Sequence, residues 1–83
     1  FDGPPVLAVE VTTPDDDFAE LAEVVGEHLA GGVPTVWVVD PIEETVTVHR
    51  PDRPAFVVAG DDPLTGGPGL PGFRITVADI FAD

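Results

Sequence analysis

The residue best placed to do chemistry is Glu10, a carboxylate inside the first apolar run of the chain, residues 6–11. Such a run is typical of a buried parallel strand, with Glu10 near its carboxyl end. Ligands of open α/β sheets bind outside that end, so Glu10 is a candidate metal ligand or acid–base group. The other interpretation is a glutamate at the sheet margin, solvated or hydrogen-bonded to the following loop. Position alone favours neither interpretation.

The other residues with chemical potential are few and scattered. His28 and His49 are far apart in the sequence and make no zinc motif. The sequence has no cysteine and no lysine, no Gly-x-Ser-x-Gly segment and no phosphate-binding loop ending in Gly-Lys. His28 could be a ligand or proton carrier, but its place favours a partly buried histidine at the negative end of a helix. His49 and Arg50 are predicted to be exposed at the end of a strand.

Three segments predict the unit that positions Glu10. Residues 6–11 and 35–40 are apolar runs, and residues 17–30 between them have helical periodicity. Two strands joined by a helix are most simply parallel, so the three segments predict a βαβ unit. Both strands are predicted to be buried on both faces, and the second, which contains Trp37, is predicted to be the most buried element.

The helix of this unit has clear start and stop signals. Thr13 or one of the aspartates after it is expected to cap the N-terminus, and Gly31 and Gly32 are expected to end the helix. A stripe of apolar residues spaced by three and four is predicted to face the core. The stripe consists of Phe18, Leu21, Ala22, Val25 and Leu29.

The remainder of the chain is predicted to extend this unit. A hairpin strand, a second short strand, a last strand and a small helix are predicted at residues 45–50, 55–59, 73–76 and 77–81, respectively. Residues 60–72 are rich in Gly, Pro and Asp and predict a loop, and Thr76 is expected to cap the small helix over the core. The predicted fold class is α/β: a parallel βαβ core extended by an antiparallel hairpin and a short C-terminal helix.

The charge of the chain limits its partners. Sixteen acidic residues oppose three arginines, which gives a formal net charge of −13. This balance disfavours DNA and anionic membranes, because phosphate binding draws on Lys and Arg. No apolar run approaches the about 20 residues that span a bilayer, and no signal peptide is visible, so we expect a cytoplasmic protein.

The length of 83 residues predicts one small domain over residues 1–83. The chain has no Met and opens on turn-like residues that lead straight into a strand. We therefore expect it to be the C-terminal part of a longer protein.

Five segments, in this order, resemble the Uma-two family of restriction endonucleases, a branch of the PD-(D/E)xK nuclease superfamily. They are PVLAVEVTTP at residues 5–14, HLAGGV at 28–33, VWVVDP at 36–41, TVTVHR at 45–50 and LPGF at 70–73, followed by Val77 and Ile80-Phe81. The resemblance covers nearly the whole chain. It implies that residues 1–83 are the C-terminal part of a restriction-endonuclease-like domain.

The resemblance also implies metal-dependent hydrolysis of phosphodiesters in DNA. In such enzymes a strand carboxylate, an Asp on a neighbouring strand and a lysine surround one or two divalent ions, here magnesium or manganese. Glu10 matches the family's metal-binding Glu, which makes it the expected catalytic and metal-ligating residue. The chain departs from the family where Val6 replaces the usual Asp and Val24 occupies the place of the helix lysine. These departures imply little or no activity.

Two other functions fit the sequence. One is a non-catalytic protein-interaction or dimerisation module on the nuclease fold, which would use the edge strand near residues 55–58, or its acidic face against a basic protein partner. The other is an acidic surface that mimics DNA and occupies a nucleic-acid-binding protein. Divalent-metal binding that depends on Glu10 would separate the nuclease interpretation from the module.

Overall fold

The computed structural model describes residues 5–82, whose elements follow the predicted order with one extra strand near the C-terminus. The strands are β1 (Ala8–Val11), β2 (Val36–Asp40), β3 (Thr45–Arg50), β4 (Arg53–Ala59), β5 (Pro63–Thr65) and β6 (Arg74–Thr76). The helices are α1 (Phe18–Ala30) and α2 (Val77–Phe81), and a short 3₁₀ turn spans Gly67–Gly69.

Strands β1 to β4 form one sheet in which their spatial order is the same as their sequence order. β1 is parallel to β2, with Ala8 opposite Val36 and Val11 opposite Val39, and α1 connects the two strands. β3 pairs antiparallel with β2, and β4 pairs antiparallel with β3. The predicted α/β architecture, a parallel βαβ core extended by a hairpin, is confirmed.

β2 is the centre of the core because both of its faces are covered. On one face, Val36 and Val38 pack with Val25 and Val33, and Leu21 and Leu29 of α1 flank this cluster. On the other face, Trp37 and Val39 pack with Val46, Val48, Leu64 and Val77. The near-continuous apolar run of β2 is therefore explained, and Trp37 is 4% exposed as predicted.

The first strand differs from the prediction, because it is not buried on both faces. Val9 and Val11 are 49% and 61% exposed. Within residues 5–82, β1 pairs with β2 alone and stands at the margin of the sheet. The layer formed by β5, β6 and α2 packs over β2 and β3 and does not reach Val9 and Val11.

The ends of α1 follow the sequence signals. The Asp17 side chain accepts a hydrogen bond of 2.7 Å from the Ala19 backbone N–H, so Asp17 is the N-cap. At the other end Gly32 has a φ of 96°, a left-handed value that suits glycine. Phe18 was expected in the core stripe but is 85% exposed, and it is the first residue of the helix.

The C-terminal layer combines a confirmed helix and a strand that the sequence did not predict. Thr76 and Asp79 form a capping box at the start of α2, in which each side chain accepts a hydrogen bond from the other's backbone N–H. The residues predicted as a loop contain β5, which pairs antiparallel with β6 and buries Leu64 to 1% exposure. In the part of the chain described, no helix combines the length and apolar character needed to cross a membrane.

Candidate metal site at the margin of the sheet

Glu10 projects from the face of β1 that α1 covers. It lies opposite Val38 of β2, and it shares its face with Ala8, which packs in the cluster under the helix. The Glu10 side chain is about one-third exposed. The carboxylate is near the carboxyl end of the strand, as predicted from the sequence, and the structure adds that it lies on the side of the sheet where α1 packs.

The partner of this carboxylate is His28 in the last turn of α1. Nε2 of His28 lies 2.9 Å from Oε1 of Glu10, and both side chains are about one-third exposed. Because an ionised carboxylate only accepts hydrogen bonds, the imidazole donates its Nε2 proton. Glu10 is thus bonded to the helix rather than to the loop that follows β1.

A cavity of about 210 Å³ lies beside Glu10, between the end of β1 and the first turns of α1. Asp16, Asp17 and Glu20 also line it, so its wall is strongly acidic. Two of these carboxylates already accept a hydrogen bond from the backbone. Asp16 accepts one from the Thr13 N–H and Asp17 accepts one from the Ala19 N–H, each with a length of 2.7 Å.

Val24 lines the same cavity. The resemblance assigns the family's lysine to this position, so a lysine here would stand beside the Glu10 carboxylate. The chain offers an apolar side chain instead, and it has no lysine elsewhere. The cavity therefore lacks the positive charge that a phosphate group would need.

The side chains around Glu10 offer only part of the ligands that a divalent ion needs. Among residues 5–82, no three His, Asp or Glu side chains are grouped so that they could hold a metal ion. Magnesium nevertheless keeps several waters and is often bound by one or two carboxylates. The residues present therefore fit a hydrated ion held by Glu10, and they do not form a complete two-carboxylate and lysine centre.

The second histidine does not belong to this site. His49 lines a separate and larger cavity of about 430 Å³ on the β3 side of α1. Burial lowers the pKa of His49 from its usual value of 6.5. Its neighbour Arg50, predicted as an exposed strand end, is half-buried and donates to the hydroxyls of Thr35 and Thr65.

The sequence identified Glu10 but missed its hydrogen bond to His28. The two residues are 18 positions apart. One signal for their contact was available: Glu10 alternates with apolar residues onto the same face as Ala8, and His28 flanks the apolar stripe that covers this face. To predict the contact between Glu10 and His28, one would need to know where α1 lies along β1, and residue spacing does not determine this.

Comparisons with known proteins agree with this architecture. The family model described as "Uma2: Putative restriction endonuclease" matches residues 1–78. No curated protein matches the chain. The crystal structure of a putative nuclease belonging to DUF820 from Anabaena variabilis superposes with a TM-score of 0.83 at 24% identity. The match covers 98% of this chain and 46% of that one, so the chain spans less than half of the solved relative and shares its restriction-endonuclease-like fold over that part.

Proposed function

This chain belongs to the Uma2 family of putative restriction endonucleases, and from that premise we propose that it is a degenerate part of a metal-dependent endonuclease. Glu10 is its divalent-metal ligand, for magnesium or manganese. The observation that carries the proposal is the place of Glu10, at the carboxyl end of β1 and beside a cavity that Val24 also lines.

The chemistry of such a centre explains why a carboxylate belongs there. A bound divalent ion lowers the pKa of an attacking water and neutralises charge that develops on the phosphate. Glu10 would hold the ion, and the hydrogen bond from His28 would orient its carboxylate from the helix. In this way β1 and α1 together determine where the ion would bind.

The charge of the cavity supports weak or absent activity. Asp16, Asp17 and Glu20 line it together with Glu10, and the net charge of the chain is −13. A phosphodiester that approaches meets several carboxylates and no lysine, so electrostatic repulsion opposes binding. We therefore expect the chain to bind a divalent ion without cleaving DNA efficiently.

A nicking assay tests this loss of activity. Supercoiled plasmid is incubated with the 83-residue chain in millimolar magnesium or manganese, beside Glu10→Gln and beside Glu23→Gln, which removes an exposed carboxylate of α1. We expect the fraction of supercoiled plasmid after incubation with each of the three proteins to equal that in buffer alone. Rapid nicking by the wild type and by Glu23→Gln, lost in Glu10→Gln, would contradict the proposed degeneracy.

One observation favours a second function, a dimerisation module on the same fold. β4 is the other margin of the described sheet, and its Phe56 and Val57 are 39% and 63% exposed. Pro54 within β4 is also typical of an edge strand. Edge strands with exposed apolar residues pair readily with another copy.

Light scattering after size exclusion tests the dimer. We expect the mass of a dimer at high concentration and of a monomer for Val57→Lys, since a charged residue on an edge strand opposes pairing. A wild-type chain that stays monomeric at millimolar concentration would exclude this second function.

A further inference from the structure

The larger cavity of about 430 Å³ is an open groove between α1, the β3 side of the sheet and the turn after β2. We call it the acidic groove. Leu21, Val25 and Val38 form its apolar floor, and its volume is in the range of cavities that bind ligands. Glu10 does not line it, so the inference below is independent of the proposed nuclease function.

Two large apolar side chains line the groove while remaining exposed to solvent. Phe18 is 85% exposed at the start of α1, and Ile42 is 65% exposed in the turn after β2. A polar residue at either position would lose little packing, because both side chains are mostly exposed. Large apolar groups exposed together around a groove are typical of interaction sites rather than of ordinary surface.

Three carboxylates also line the groove: Asp16, Asp40 and Glu43. None of the chain's arginines is among its lining residues in the described structure. Burial lowers the pKa of His49, which disfavours a positive charge on this side chain. The groove therefore combines an apolar floor with a negative rim.

This combination determines the charge of the occupant. A nucleic acid is an anion and is repelled by this rim, and a second copy of the chain has only three arginines to place against its carboxylates. A positively charged segment is attracted by the rim, and an apolar side chain on it removes Phe18 and Ile42 from water. A groove lined by α1 and open to solvent leaves room for the flanking residues of a polypeptide.

We propose that the acidic groove binds a segment of a basic protein, which places one large apolar side chain between Phe18 and Ile42. Lysine or arginine residues on either side of that side chain face Asp16, Asp40 and Glu43. The apolar anchor supplies most of the affinity, and the carboxylates supply orientation and association rate.

A labelled synthetic peptide of alternating lysine and leucine serves as the probe, with fluorescence anisotropy as the readout. A second peptide with alanine in place of leucine has the same charge and no anchor. We expect the leucine peptide to bind the wild-type chain at least about tenfold more tightly than the alanine peptide, a difference of about 1.4 kcal/mol. The reason is that a few apolar anchors near the centre of an interface carry most of its binding energy. Equal affinity for the two peptides would overturn the proposal.

Substitutions on the protein locate the binding site. Phe18→Ala and Ile42→Ala should each weaken binding of the leucine peptide by about tenfold, and Glu43→Gln should reduce its salt dependence. Val11→Ala is the matched control, because Val11 is similarly exposed at 61% but lies outside the acidic groove. All four side chains are exposed, so the variants should fold, as their thermal melts will show.

Two results would contradict the assignment. If Phe18→Ala and Ile42→Ala bind the leucine peptide like the wild type, the peptide is held by diffuse charge and the groove is not its site. If hexylamine displaces the peptide at concentrations similar to those of the peptide itself, the groove is a pocket for a small organic cation rather than a polypeptide site.

Discussion

Glu10 and His28 meet because β1 and α1 lie side by side, although the two residues are 18 positions apart in the sequence. Each is about one-third exposed, so the hydrogen bond of 2.9 Å competes with water. It nevertheless joins the margin of the sheet to the end of the helix. The same contact holds the carboxylate at the place where we propose a divalent ion.

A double-mutant cycle measures this contact. His28→Ala should lower the free energy of unfolding by about 0.5–1 kcal/mol through the lost hydrogen bond. Glu10→Ala should cost a similar amount, and the two changes together should cost less than their sum. Urea unfolding followed by the fluorescence of Trp37, the only tryptophan, gives the free energies. A coupling of zero would mean that the pair contributes nothing in solution.

His49 predicts a specific pH dependence of stability. Its pKa is lowered by burial from 6.5, so between the lowered pKa and 6.5 the unfolded chain binds a proton that the folded chain does not. Stability is therefore lost as the pH falls through this window. His49→Gln should lose less stability than the wild type from neutral pH to about pH 5 in thermal melts. Parallel curves for the two proteins would show that His49 is not buried in solution.

At the scale of the elements, α1 is the part of the structure that shapes both cavities. Asp17 caps its start, and Gly32 adopts a left-handed φ of 96° just after its end. Gly26 lies in its interior, where an added Cβ would meet no atom within 4 Å. An alanine would therefore meet no obstacle at Gly26 but would be strained at Gly32.

Alanine at these two glycines should change stability in opposite directions. Gly26→Ala should raise the free energy of unfolding by about 0.5–1 kcal/mol, because alanine loses less conformational freedom in a helix. Gly32→Ala should lower it by about 1–2 kcal/mol, because a Cβ is strained at that φ. Urea titrations of both variants are the measurement. If Gly32→Ala is as stable as the wild type, residue 32 does not have the left-handed conformation described at the end of the helix.

Much of the element order could be predicted from the sequence, because β3 and α1 have a clear period of apolar residues and β2 is a near-continuous apolar run. β5 could not, since Leu64 is a single core residue in a stretch of Gly and Pro with no period. The exposure of Val9 and Phe18 was also missed. Periodicity shows which residues share a face, but whether that face is covered depends on how far the next layer extends.

For the molecule as a whole, two facts limit stability and function together. The core consists mostly of valines around Trp37, so the domain is small and its stability should be modest. The net charge of −13 adds repulsion within the folded chain, and any salt screens it. An effect of a divalent ion must therefore be separated from an effect of ionic strength.

The most direct test of a metal site at Glu10 is a set of thermal melts at constant ionic strength, with and without millimolar manganese, for the wild type, Glu10→Gln and Glu23→Gln. An ion that binds only the folded state adds about 0.4 kcal/mol when its free concentration equals Kd, or about 2–3 °C for a domain of this size. We predict a rise of this order for the wild type and for Glu23→Gln, and its loss in Glu10→Gln. An equal rise in all three proteins, or none in any, would contradict a divalent-metal site at Glu10.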